Sequence, residues 1–162
     1  MADFKTMATE VGALLKKKGE TVAVAESSAG GLISAALLAV PGASAYFKGG
    51  GAVYTTQAKQ ILMAVSDEAI AEARAATEIH ALHLARAARG RLGTDWGIGE
   101  TGAAGPTGNR YGDPPGHTCI GVVGPGVERA LTIQTGQTDR GLNMEAFAKS
   151  ALDLLVDCLK KN

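Results

Sequence analysis

Cysteine is nearly absent from this sequence: Cys119 and Cys158 are the only two in 162 residues. Such a pair makes neither a disulfide framework nor a metal motif, and both lie in apolar stretches, so buried free thiols are expected. Aromatic residues are scarce at 4%, which leaves Ala, Val, Leu and Ile to build the core and supplies no stacking strip for nucleic-acid bases. An excess of one charge is missing too, because Lys and Arg number 16, as do Asp and Glu. The short basic runs, Lys16-Lys17-Lys18 and Lys160-Lys161, fall in the last turns of predicted helices, where cations complement the helix dipole. No nucleic-acid partner is therefore expected. The apolar stretch Leu32 to Val40 is short and closed by Pro41, and no signal-peptide pattern opens the sequence, so neither a membrane span nor secretion is expected. The expected setting is cytoplasmic and reducing.

What is present is an ordinary globular balance, 46% hydrophobic and 20% charged, on a length that suits one domain covering residues 1–162. Glycine is abundant at 22 residues. Met7, Val11, Leu14 and Leu15 recur at helical spacing and predict a helix over 3–18, stopped by Gly19. Residues 21–25 read as a buried strand. The turn Glu26-Ser27-Ser28-Ala29-Gly30-Gly31 leads into a helix over 32–38, broken by Pro41-Gly42. Gly49-Gly50-Gly51 precedes a short strand over 52–54. Thr56, Ser66 and Thr77 are placed to cap helices running to about 61, 75 and 91. Residues 95–100 form a third strand, ending in an irregular glycine turn over 101–106. An exposed loop follows to Gly116. Paired strands over 118–123 and 129–135 and a helix over 143–159 close the pattern. Helices alternate with strands early and two strands run together late, which predicts an α/β fold on a mixed, mostly parallel sheet of about five strands with one antiparallel pairing. Ligands of such sheets bind beyond the carboxyl ends of the strands, where the turns 26–31, 54–59 and 100–106 should meet.

Three groups of residues can carry chemistry. The turn 26–31 can aim N–H groups and a helix N-terminus at a phosphate or an oxyanion, although Ser27 serves equally well as a plain helix cap. Ser44, followed by Tyr54 and Lys59, has the residue types of a Ser–Lys site, in which burial keeps the lysine neutral enough to take the serine proton. An exposed helix lysine is the plainer reading of Lys59. Glu100 to Pro106 offers Gly102 and Gly105 for close backbone approach to a ligand. His80 and His83 stand three apart on one helix, but no further donor completes a metal set. Nothing in the sequence fixes a role for His117. No Ser–His–Asp signature, Walker loop or dinucleotide fingerprint occurs.

Taken in order, Ala25 to Gly31, Pro41 to Phe47, Tyr54 to Lys59, Thr101 to Pro106 and Pro114-Pro115-Gly116 resemble the C-terminal domain of the CinA family along nearly the whole sequence. The resemblance implies a three-layer α/β/α sandwich, often dimeric, that deamidates nicotinamide mononucleotide to nicotinate mononucleotide and ammonia without metal or cofactor. The partner it implies is a small nucleotide substrate, with a homodimer as the expected assembly. Carried over by position, it makes Ser44 the nucleophile, Lys59 its base and Tyr54 a supporting group, with Ser27 as the competing nucleophile. It assigns Ser27, Gly30, Gly31, Thr101 and Gly102 to binding the nucleotide or polarising the amide. Arg140 would meet the phosphate or help to keep Lys59 neutral. The sequence departs from the family pattern at Ser28, Ala29, Ala43, Thr56, Gln57, Glu100 and Asp113, the last replacing a lysine with an acid. Two other readings are a catalytically silent nucleotide- or partner-binding module linked to competence or DNA damage, and an amidase for another small carboxamide.

Overall fold

The computed structural model describes residues 2–162. The elements are α1 (Ala2–Lys18), β1 (Val22–Glu26), α2 (Leu32–Leu38), a single 3-10 turn (Ala43–Ala45), β2 (Phe47–Ala52), α3 (Thr56–Met63), α4 (Asp67–Glu72), α5 (Glu78–Leu92), β3 (Trp96–Ala103), β4 (His117–Gly124), β5 (Val127–Gln134) and α6 (Arg140–Lys161). One five-stranded sheet runs in the order β2-β1-β3-β4-β5. β1 pairs in parallel with β2 and β3, whereas β4 is antiparallel to β3 and β5. Four strands thus point one way and β4 alone points back. The fold is the mixed-sheet, three-layer α/β/α sandwich that was expected. It has a second antiparallel pairing, β3 with β4, because no crossover helix separates those strands and the chain can fold straight back.

Strand alternation sorts the side chains into two layers. Val22 and Val24 of β1, Trp96 and Ile98 of β3, and Ile120 and Val122 of β4 join the large core beneath α1, α2 and α6. Ala23 and Ala25 face the other way, into a smaller cluster with Val53, Met63, Leu84 and Ala88. On that second face α5 lies almost on the strand backbones. A Cβ at Gly99 would stand 2.0 Å from the Ala81 carbonyl oxygen, so only glycine admits the helix there.

Several local expectations shift. Gly49-Gly50-Gly51 does not precede the strand but is the body of the edge strand β2, where α2 crosses so closely that a Cβ at Gly50 would meet Ser34 Oγ at 2.2 Å. Thr101, Gly102 and Ala103 continue β3 by pairing with β4. Thr55 rather than Thr56 caps α3, while Ser66 and Thr77 cap α4 and α5. Asp139 caps α6, which begins at Arg140. Among the described residues no helix is long and apolar enough to cross a membrane.

Candidate active site

Glu26 and Glu100 end the visible run of β1 and sit inside β3 as register partners, both 0% exposed. Glu26 turns its carboxylate onto the start of α2. Oε1 accepts the N–H groups of Gly31 (2.8 Å) and Ile33 (3.0 Å), and Oε2 accepts the N–H (2.9 Å) and the hydroxyl (2.8 Å) of Ser34. Gly30 donates its N–H to the Ser27 carbonyl at 3.1 Å. The helix N-terminus that could have held a phosphate or an oxyanion is therefore filled by the protein's own carboxylate. Gly30 and Gly31 shape the turn, at φ 68° and 101°, and their N–H groups are taken.

Glu100 holds the preceding part of the same turn. Its Oε2 accepts from Ser27 N (3.1 Å) and Ala29 N (2.8 Å), and its Oε1 from Ser28 Oγ and from Thr118 Oγ1 (2.6 Å). Burial pushes the Glu100 carboxyl above its ordinary value, and the Ser28, Thr118 and Ala29 hydrogen bonds pull against that.

The other sheet face carries the reactive groups. Ser27 stands in the bend directly after β1, and Thr101 follows Gly99 onto the α5 side. There Lys59 is 3% exposed, and its Nζ lies 2.9 Å from His80 Nε2. Burial lowers the Lys59 pKa, and the charge of Glu100 opposes that change. His80 is pushed down to about 4, first by burial and then by the Lys59 charge, so it is neutral at ordinary pH. Its Nδ1 lies 3.0 Å from the Ala73 carbonyl oxygen. Thr101 Oγ1 accepts the N–H of Ala76 at 3.0 Å. Sequence reasoning missed this use of His80, whose only visible signal was its place in the first turn after the Thr77 cap. His83 turns away to Glu72 at 2.8 Å, which separates the two histidines. No group of three or more His, Cys, Asp or Glu among the described residues could hold a metal.

Beside this buried layer opens a cleft of about 230 Å³ lined by Ser28, Tyr54, Gly102, Gly105, Asn109 and Arg140 among others. Arg140 donates to the Gly105 carbonyl and, at 3.4 Å, to the Tyr54 hydroxyl. Tyr54, Gly102 and Arg140 are thus brought together. The charge that acts on Lys59 is that of Glu100, while Arg140 is engaged by Gly105 and Tyr54. A second cleft, about 310 Å³, is lined by Thr56, Arg74, His80, Arg110 and Tyr111. Asp113 makes two bonds with Arg74, at 2.8 and 3.3 Å, which hold its carboxyl below the usual range. Its charge is therefore matched locally.

Ser44 is not part of this assembly. It lies in the exposed 3-10 turn before β2, at the amino ends of the strands, whereas Lys59 lies beyond their carboxyl ends. The six residues of β2 alone span roughly 20 Å. Cys119 lies 3.8 Å from His117 Nε2, but burial raises its thiol pKa, so it is a buried thiol rather than a nucleophile.

The model of the CinA C-terminal domain matches residues 4–159. A CinA-like protein of Gloeobacter violaceus is 40% identical over 155 residues, 95% of this chain and 36% of that protein. One from Synechocystis is 46% identical over 123 residues, 76% of this chain and 30% of that protein. The chain therefore spans about a third of the length of the curated relatives it matches. Among solved structures, a competence-damaged protein (CinA) superfamily protein from Klebsiella pneumoniae superposes with a TM-score of 0.91 at 24% identity, covering 98% of this chain and 99% of that one, a likeness of fold. The competence/damage inducible protein CihA from Agrobacterium tumefaciens gives 0.89 at 28% identity, covering 98% and 96%.

Proposed function

The chain belongs to the CinA C-terminal domain family, and on that footing we propose that it is an amidohydrolase that deamidates nicotinamide mononucleotide. The observation that carries this reading is Lys59, a buried amine at the carboxyl end of the sheet whose pKa is lowered by burial. Such an amine can act as a general base near neutral pH. Ser27, in the bend directly after β1 at that same end of the sheet, is the hydroxyl this reading takes as the nucleophile in place of Ser44.

In this mechanism Ser27 Oγ bonds to the carboxamide carbon as Lys59 Nζ takes the hydroxyl proton. The tetrahedral intermediate then expels its nitrogen, which leaves as ammonia with the proton from Lys59. Water attacks the ester, again giving up a proton to Lys59. The C–O bond to Ser27 breaks, the serine recovers its proton and nicotinate mononucleotide departs. Tyr54 and Arg140 line the adjoining cleft, and the Arg140 guanidinium suits the phosphate of the substrate. Thr101 steadies the site from β3 through Ala76.

A silent binding module is the second reading. It is favoured by one observation, that Glu26 and Glu100 take up the N–H groups of Ser27, Ala29, Gly31, Ile33 and Ser34. Ammonia release from nicotinamide mononucleotide by the purified protein separates the two: release supports the amidase, and binding without release supports the module.

A further inference from the structure

The chemistry above asks for more from Lys59 than a lowered pKa. A neutral amine has two N–H bonds and one lone pair, and rotation about its last carbon–nitrogen bond can point that lone pair in any of three directions. A base works only when the lone pair faces the proton it takes. Lys59 has a polar partner of fixed type. The Ala73 carbonyl can only accept, so His80 Nδ1, 3.0 Å from it, carries the ring proton and Nε2 is left as an acceptor. Lys59, at 2.9 Å from Nε2, must then be the donor.

We propose that His80 is a positioning residue for Lys59: its Nε2 takes one N–H of the amine, which keeps the lone pair off the imidazole and leaves it free to face the carboxyl end of the sheet, where Ser27 and Thr101 lie. This inference rests on the reading of Lys59 as the base. The same bond persists when Lys59 becomes an ammonium and then is charge-assisted, so the amine keeps its place through the proton transfer. The support behind His80 is stiff. Its N–H bonds to the Thr77 cap at 3.3 Å. Ala73 opens a short strap into α5, and Ala76 within that strap is held at φ 62° by Thr101 on its N–H and by His117 Nε2, 3.0 Å from its carbonyl oxygen. Glu100 from β3 and His83 from α5 are the other ionisable groups that act on the pair, and His83 is turned to Glu72.

His80→Leu removes the acceptor at similar bulk, and His80→Gln keeps an acceptor oxygen. Two readouts apply: ammonia release from nicotinamide mononucleotide, and the titration of Lys59 followed by NMR in protein labelled with carbon-13 at the lysine Cε. In His80→Leu, kcat is expected to fall roughly a hundredfold with KM within about threefold of wild type. Lys59 is expected to titrate at lower pH, because a bond that favours the ammonium is gone. His80→Gln is expected to restore most of both. A folded His80→Leu protein with wild-type kcat and wild-type Lys59 titration overturns the proposal. Should His80→Leu fail to fold, His80→Gln decides alone: near-wild-type values support the proposal, and loss of both in a folded protein overturns it. If the wild type itself releases no ammonia, the amidase reading fails, and the Lys59 titrations still decide whether His80 governs the amine.

Discussion

Glu26 and Glu100 are register partners on adjacent parallel strands, yet their donors are divided differently between the two oxygens. Both oxygens of Glu26 accept backbone N–H groups, with the Ser34 hydroxyl added on Oε2, whereas Glu100 takes two backbone N–H groups on Oε2 and two hydroxyls on Oε1. A hydroxyl can turn to accept, and an N–H cannot. Together the two carboxylates fix the turn over 27–34, so the amide substitutions at these positions separate their roles.

Glu26→Gln leaves an amide nitrogen against a backbone N–H and is expected to cost about 2 kcal/mol of stability. Glu100→Gln can set its oxygen toward Ser27 and Ala29 and its nitrogen toward the two hydroxyls, and is expected to stay within about 1 kcal/mol of wild type. Urea denaturation at neutral pH checks both. Equal losses in the two variants would contradict this account.

The Glu100 substitution also has a pH signature. The fold raises the Glu100 pKa above its ordinary 4.5, so the native state keeps this proton longer than the unfolded chain does. Wild type then loses this part of its stability as pH rises from about 4.5 through the folded value. Glu100→Gln is expected to gain on wild type across that rise, and parallel stability curves would contradict the buried carboxyl.

His80 works in the opposite direction. It stays neutral in the fold down to about 4, while an unfolded chain protonates it near 6.5. The unfolded state binds more protons between those values, so this contribution is complete above about 6.5 and is lost as the pH falls through 4. The amount is on the order of 3 kcal/mol. His80→Gln is expected to flatten stability over that window. An unchanged slope would place His80 in contact with solvent.

Arg74 clamps the loop before β4 through Asp113 and stacks on Tyr111 with its guanidinium carbon 4.6 Å from the ring centre. Arg74→Ala is expected to raise amide exchange in residues 107–113 several-fold and to leave the strands protected. Exchange unchanged in the loop would show that Asn109, which bonds to the Asp113 side chain at 2.8 Å and accepts from Asp113 N at 3.1 Å, holds it unaided.

The family, the sandwich and the caps at Ser66 and Thr77 were legible because each rests on local order in the chain. Lys59 with His80 was not, since the two are 21 residues apart and meet only through the packing of α3 against α5. Glu26 was read as part of an anion-binding turn. Its type and spacing allow that, but whether a carboxylate folds back onto its own helix depends on three dimensions. Gly50 misled in the same way. Glycine weakens an isolated strand, but here it makes room for Ser34. The resemblance, not any spacing in the chain, sets Ser44 beside Lys59, whereas β2 holds the two at opposite ends of the sheet.

The most direct measurement is the initial rate of ammonia release from nicotinamide mononucleotide by wild type, Ser27→Ala and Ser44→Ala under one set of conditions. The account predicts turnover by wild type and Ser44→Ala, and a loss of roughly a thousandfold or more in Ser27→Ala. Loss in Ser44→Ala with full activity in Ser27→Ala would contradict it.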